Sequence, residues 1–264
     1  MAGSKEVKMS KFYKTKGIIL KRANLGEADR ILTIFTANQG KVKAKARGVR
    51  KILSKLGGHL ELFNLADLSF YSGKGLDIIT ACQAMESFSH LRNNLRKTSL
   101  AYYTTELLDK LTPEKQKDYR IYRLLKEIFR VLDNPRLTDT KKLYLVVRSF
   151  ELKLLNFLGY APELKKCVAC GKLVKPNLYF FSSKLGGLLC IQCKKQDTGS
   201  ARISINAIKI IKYLQDKDFN QVTKLKLPNL VFGEVRNIII NFIRYIFQKE
   251  PKTRFFVKKI EKLS

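Results

Sequence analysis

The spacing of apolar residues changes near Glu86, and this change predicts two kinds of structure in the chain. Upstream of it, five short apolar-rich runs predict β-strands: TKGIILKRA, DRILTIFT, GKVKAKARG, LFNLADLSFYS and LDIITACQAME. The segments that connect them carry Gly, Asn and Asp, as turns do. Five strands in about 75 residues favour a small barrel, and the OB-fold is the commonest five-stranded form. An SH3-like barrel is the structural alternative.

Downstream of Glu86, apolar residues recur at intervals of three and four, which predicts amphipathic helices. Three such segments are HLRNNLRKTSLAYYTTELLDKL, KDYRIYRLLKEIFRVL and TKKLYLVVRSFELKLLNFL, separated at Pro113 and at Asn134-Pro135. A loop-rich stretch with cysteines follows. Two more helices are expected after it, one capped by Ser204 or Asn206 and one around 230–248.

We therefore predict an α+β multidomain protein with a five-stranded OB-fold barrel at its N-terminus. The expected boundaries are an OB-fold domain at 1–86, a helical domain at 87–162 and 201–264, and an insert that carries the cysteines at 163–200.

The third predicted strand carries a regular row of cations. In GKVKAKAR, every second residue from Lys41 onward is basic, whereas Val42, Ala44 and Ala46 occupy the other face. The apolar face suits a barrel core, so the charged face is expected to point outward and to contact phosphates. The predicted DNA-binding residues, including three from the following loop, are Lys41, Lys43, Lys45, Arg47, Arg50, Lys51 and Lys55. The alternative is a strand face that is merely solvated.

Composition supports a polyanionic partner. Lys and Arg number 52 against 22 Asp and Glu, which gives a net charge of +30, while 45% hydrophobic residues are enough for a folded core. Among the barrel aromatics, Phe35 is expected in the core and Phe12, Tyr13 and Tyr71 are available for stacking, with electrostatics dominant. No secretory signal and no apolar run of bilayer length is seen, so we expect a cytoplasmic protein without a membrane partner.

Four of the five cysteines are spaced as C-x2-C-x19-C-x2-C, formed by Cys167, Cys170, Cys190 and Cys193. This spacing is typical of a zinc ribbon, and four thiolates leave no open position on the metal. We predict one structural Zn²⁺. A redox pair of dithiols and four reduced cysteines are the alternatives, and Cys82 is expected in the core.

Residues that would indicate catalysis are sparse. His59 and His90 lie in no catalytic motif, and SGKG lacks the spacing of a phosphate-binding loop. Glu27 and Asp29 could hold Mg²⁺, but a lone acidic pair more often interacts with nearby cations. We predict a protein that is not an enzyme, with a metal-dependent nuclease as a minor alternative.

Several stretches together resemble the RecO family of bacterial recombination mediators. They are GIILKRANLGEADRILTIFTANQGKVKAKARGVRKILSKLGGHLELF, RSFELKLLNFLGYAPELKKCVACG and FFSSKLGGLLCIQC. The resemblance extends from about Lys14 onward and weakens after Ser200. It implies an OB-fold, a helical domain and a zinc module, together with binding to single- and double-stranded DNA and annealing of complementary strands.

The resemblance also implies partners. These are RecR, the C-terminal tail of single-stranded-DNA-binding protein and, indirectly, RecA, which the family helps to load onto gapped DNA. On this basis Arg148 is expected to bind the terminal carboxylate of that tail through two parallel hydrogen bonds. A structural ion pair with Glu151 is the alternative for Arg148. The alternatives for the whole chain are a zinc-ribbon protein of the ribosome or of transcription and, less favoured, the nuclease.

Overall fold

The first compact unit is built on a closed β-barrel. The structure, a computed structural model, describes residues 11–73, 75–173, 178–248 and 251–254. The barrel strands are β1 (Phe12–Leu25), β2 (Asp29–Thr36), β3 (Gly40–Ala46), β4 (Leu65–Tyr71) and β5 (Asp77–Glu86). They close in the order β1-β2-β3-β5-β4, with β3 and β5 parallel and the other neighbours antiparallel. This confirms the predicted five-stranded, OB-like barrel.

Small residues allow the barrel to close around its core. Ala44 and Ala46 on the inner face of β3 are fully buried, next to larger side chains from the other strands. A Cβ added at Gly17 of β1 would lie 2.6 Å from Cγ2 of Ile34, so this glycine permits the close approach of a neighbouring side chain. The apolar packing is contributed by Ile19, Leu32, Ile34, Val42, Leu68 and Phe70.

A segment from outside the barrel sequence belongs to the same compact unit. Among the described residues, this unit comprises those from 11 to 88 and Thr112–Arg123, although the sequence boundaries place the second segment in the helical domain. The backbone N–H of Lys115 donates to the carbonyl of Lys41 at 2.8 Å, so the segment lies against the start of β3. The predicted domains 1–86 and 201–264 extend at their outer ends into residues 1–10 and 255–264, which lie outside the described ranges.

The second compact unit, residues 89–111 and 124 onward, is mainly helical. Its sheet has the order β7-β6-β8, and a 3₁₀-helix (Ile191–Gln196) follows β7. These strands are β6 (Tyr179–Ser182), β7 (Gly187–Cys190) and β8 (Ala201–Ile203). The α-helices assigned in the described part of the chain are α1 (Ser89–Arg92), α2 (Leu95–Leu111), α3 (Tyr119–Asp133), α4 (Thr140–Phe157), α5 (Ile205–Asp216), α6 (Phe219–Lys224) and α7 (Asn229–Phe247).

Side-chain caps fix where two of these helices begin. Asp139 accepts a hydrogen bond from the backbone N–H of Lys142 at the start of α4, and Ser204 accepts one from Ala207 at the start of α5. Ser204 is therefore the cap, and Asn206 lies inside the helix. Within the described ranges, no helix combines the length and the apolar content that crossing a bilayer requires.

The contact between β3 and the 112–123 segment can be tested at Gly40. Its φ is +65°, and an added Cβ would lie 2.0 Å from the carbonyl oxygen of Gln116. We expect Gly40→Ala to lower the free energy of unfolding by about 3 kcal/mol or more, because it combines backbone strain with a clash against main chain. Urea unfolding of the full chain measures this.

Gly26 provides a matched control, because its φ is +59° and no atom lies within 4 Å of an added Cβ. Gly26→Ala should cost only the left-handed conformation, about 1–2 kcal/mol. Equal losses for the two variants would contradict the close contact at Gly40.

Candidate nucleic-acid interface and metal centre

The side chains of β3 alternate as the sequence predicts. Val42, Ala44 and Ala46 are buried in the barrel, whereas Lys43 and Arg47 are exposed. Lys41 has the parity of the outward row but is only 6% exposed, which disfavours its expected contact with phosphates. Its burial arises at the start of β3, where the 112–123 segment pairs with the strand.

Two further cations of the row are paired with carboxylates. Nζ of Lys43 lies 2.5 Å from a carboxylate oxygen of Glu114, and Nζ of Lys45 lies 2.9 Å from one of Asp29. The other oxygen of Asp29 accepts from the backbone N–H of Gly48 at 2.8 Å. This hydrogen bond, and then the contact with Lys45, hold the pKa of Asp29 below its usual value. Asp29 therefore orders the turn that follows β3 and contacts a cation, as expected for this member of the acidic pair.

The loop after β3 carries the more exposed cations, Arg50, Lys51 and Lys55. Arg50 is anchored at two points: its backbone N–H donates to the carbonyl of Ala28, and its Nη1 donates to that of Gly26, both at 2.9 Å. Together with Arg47, four of the seven predicted DNA-binding residues are thus exposed in the segment that follows β3. We call residues 47–55 the basic loop.

A second outward row, on β1, escaped the sequence prediction. Lys14 and Lys16 are exposed on the same face as Phe12, whose ring centroid lies 5.1 Å from that of Tyr71 on β4. The signal was present, because FYKTK alternates as the β3 row does. Two of the other barrel aromatics make contacts within the protein. Phe35 is buried as expected, and Tyr13 donates its hydroxyl to Asp77 at 2.5 Å.

The sulfurs of the four cysteines in the two CxxC turns lie close together. Cys167 and Cys170 lie in a turn that Gly171 completes with a φ of +72°, whereas Cys190 ends β7 and Cys193 lies in the 3₁₀-helix. Their sulfurs all lie within 4.8 Å of one another, and those of Cys170 and Cys190 are 3.9 Å apart. A tetrahedral zinc site with bonds of about 2.3 Å places its sulfurs about 3.8 Å apart. The cluster therefore has the donor set and the size to hold a metal ion.

The backbone around the cluster favours a thiolate at Cys167. Burial alone would raise its pKa, but backbone N–H groups, first that of Cys190 and then those of Cys170 and Ala169, bring the pKa down to about 6. At Cys193, hydrogen bonding with Cys190, burial and the neighbouring sulfurs raise the pKa to about 12. Four sulfurs this close cannot all be negative unless a cation lies among them.

Arg148 lies inside the helical unit and not on its surface. The side chain is buried, and Nη1 lies 3.0 Å from a carboxylate oxygen of Glu151 one turn along α4. The hydroxyl of Tyr103 donates to the other oxygen of Glu151 at 2.5 Å. Burial raises the pKa of Glu151, and the Arg148 guanidinium and the Tyr103 hydroxyl oppose that rise. This position favours the structural alternative for Arg148, because a peptide carboxylate would have to replace Glu151 within the core.

Two family profiles match adjoining parts of the chain. The one described as "Recombination protein O N terminal" matches residues 9–88, and "Recombination protein O C terminal" matches residues 92–255. Proteins named DNA repair protein RecO are similar over most of the chain. One from Dehalococcoides mccartyi is 35% identical over 250 residues, covering 95% of this chain and 96% of the relative. One from Roseiflexus is 33% identical, with 95% and 87% covered, and one from Thermoanaerobacter is 30% identical, with 96% and 100% covered.

The buried ion pair between Arg148 and Glu151 can be tested through the stability of the protein. Arg148→Ala should lower the free energy of unfolding by about 3–5 kcal/mol, because it leaves the Glu151 carboxylate without its cation in the core. Urea unfolding followed by circular dichroism measures the change.

The matched variant removes both charges at once. Arg148→Met combined with Glu151→Leu should recover most of the loss, since neither charge then needs a partner in the core. If Arg148→Ala is as stable as the unaltered protein, the structural assignment of Arg148 is wrong.

Proposed function

The chain belongs to the RecO family of DNA repair proteins, and from this premise we propose that it binds single- and double-stranded DNA and anneals complementary strands without cleaving them. The observation that carries the proposal is the charge of the barrel. Residues 30–60 contain no Asp or Glu, and the basic loop at the end of this stretch exposes four cations: Arg47, Arg50, Lys51 and Lys55.

Binding at this loop is electrostatic and depends little on base sequence. Lys and Arg side chains neutralise phosphates and release condensed counterions. Two strands whose phosphates are screened in this way repel each other less, which favours their annealing. Phe12 and Tyr71, beside the exposed Lys14, add a surface on which bases can stack.

Further partners are proposed from the family. The protein would contact RecR, recognise the C-terminal tail of single-stranded-DNA-binding protein and help to load RecA onto gaps in the cytoplasm, at the nucleoid. A tail contact at Arg148 requires the pair with Glu151 to open, so the buried position supports a tail site made by other residues.

We propose that the cysteine cluster holds one structural Zn²⁺. Cys167 and Cys170 would bind it from the first turn, and Cys190 and Cys193 from the end of the hairpin. The ion would neutralise the thiolates and fasten two segments that are distant in sequence. Since all four ligand positions are protein sulfurs, the proposed role is structural and not hydrolytic.

Family membership favours DNA repair over the ribosomal and transcriptional alternatives. Asp29 argues against a nuclease, because its two carboxylate oxygens already accept from Lys45 and from the backbone of Gly48 and are not free to bind Mg²⁺. Incubation of labelled DNA with the protein and Mg²⁺ separates binding from cleavage, and loss of full-length strands would refute the non-enzymatic proposal.

Reversing two exposed charges of the basic loop tests the DNA surface. We expect Lys51→Glu with Lys55→Glu to weaken binding of a labelled oligonucleotide strongly. The slope of log affinity against log salt should fall by about 1.4–1.8, since each lost phosphate contact removes about 0.7–0.9. Fluorescence anisotropy over a range of salt concentrations measures both.

Lys209→Glu with Lys226→Glu is the matched control, because it makes the same change of net charge at exposed lysines of the helical unit. The control should leave the slope nearly unchanged. The same effect from both pairs would show that net charge, and not the basic loop, governs binding.

The zinc proposal is tested by metal content and stability. Protein purified without chelator should contain one equivalent of zinc by elemental mass spectrometry, and Cys167→Ser should reduce this to near zero and lower the unfolding temperature. Cys82→Ala removes the cysteine outside the cluster and should retain the zinc. Absence of zinc from the unaltered protein would contradict the proposal.

A further inference from the structure

The basic loop carries an apolar tip. Among the residues that the structure describes, the two most exposed large apolar side chains are neighbours there: Ile52 is fully exposed and Leu53 is 93% exposed. A single exposed leucine is ordinary on a protein surface. An adjacent pair between the cations Lys51 and Lys55 is not explained by packing, because neither side chain contributes to the core.

The backbone holds this pair at a defined place. Before it, the N–H of Lys51 donates to the carbonyl of Gly48 at 3.1 Å, and after it the N–H of Ser54 donates to the carbonyl of Lys51 at 2.9 Å. The loop is rooted in the barrel core by buried Val49 and Leu60. The turn is thus closed across Ile52 and Leu53, so both lie at its tip.

The surrounding charge selects the partner. A partner must be anionic, because residues 30–60 contain no acidic side chain, and it must offer an apolar surface to two aliphatic side chains. A nucleic-acid strand has both properties, with phosphates outside and the faces of stacked bases between them. The exposed cations Arg47, Arg50 and Lys51 precede the apolar pair in the loop and Lys55 follows it, so cations flank the pair on both sides in sequence. Two aliphatic side chains are enough to insert at one base step. They would bury too little apolar surface in a bilayer to bind it well, so a strand is the better partner.

We propose that Ile52 and Leu53 form an apolar wedge that enters between neighbouring bases of a strand whose phosphates are bound by the basic loop. Aliphatic side chains of this kind unstack base steps when they are inserted from a charged surface. Unstacking would expose the base edges of the bound strand to a complementary strand. The inference rests on the proposed DNA binding and adds to it the way in which the bound bases are presented.

The wedge is tested with 2-aminopurine, whose fluorescence is quenched by stacking. A series of single-stranded adenine oligonucleotides carries one 2-aminopurine at successive positions. Binding of the unaltered full chain should raise the fluorescence at some positions, because aliphatic side chains separate the bases without quenching. Stacking on Phe12 or Tyr71 would lower it instead. The rise should be lost with Ile52→Ser combined with Leu53→Ser, while the salt slope of binding stays, since no cation is removed.

Leu230→Ser is the matched control, because Leu230 is 85% exposed in the helical unit. It should keep the full fluorescence rise. The wedge is overturned if the unaltered protein binds without any rise, or if the double serine variant keeps it. Failure to bind the oligonucleotides at all would instead refute the proposed DNA binding. The protein could instead sediment with phosphatidylglycerol vesicles in a way that depends on Ile52 and Leu53, without a fluorescence rise on DNA. That result would show that the apolar pair binds a membrane surface and not a nucleic-acid strand.

Discussion

Closure of the barrel and the position of its positive charge depend on the same alternation along β3. The barrel closes where β3 pairs in parallel with β5, at Ala44 with Asp77 and Lys45 with Ile78. Ala44 and Ala46 are small enough to lie inside at this junction, so the intervening lysines must point outward. A slip of one residue would place three lysines in the core. The register that forms the barrel therefore also forms the basic row.

Packing around the row then decides where its charge is available. At the start of β3 the 112–123 segment buries Lys41 and brings Glu114 to Lys43. Further along, Asp29 contacts Lys45 and orders the next turn through Gly48. Exposed charge is consequently concentrated in the basic loop after the strand. Phosphate contacts position a protein on a strand without reading its bases, so this concentration of charge fits the sequence-independent DNA binding that we propose.

The helical unit contains charge in two different settings. Arg148 and Glu151 neutralise each other in the core, and Tyr103 satisfies the second carboxylate oxygen. Both charges lie on α4, and the hydroxyl of Tyr103 connects the pair to α2. A buried pair of this kind contributes little net stability, although the loss of one partner is costly. The cysteine cluster differs, because its four sulfurs lie within 4.8 Å of one another and could together hold a metal ion.

Patterns of neighbouring residues in the sequence determined the features that depend on local structure. Short apolar-rich runs between turn residues predicted the five strands, the spacing of the two CxxC turns predicted the sulfur cluster, and Ser204 was one of two candidate caps for α5. By contrast, α6 is six residues long and too short to show a helical period. Only the tertiary structure decided which cations are exposed. Lys41 is covered by a segment about seventy residues away, and Arg148 is buried by helices that pack around α4. The pattern of a strand or helix fixes the direction of a side chain relative to its own element. What lies in that direction is set by long-range contacts, which leave no periodic signal in the sequence.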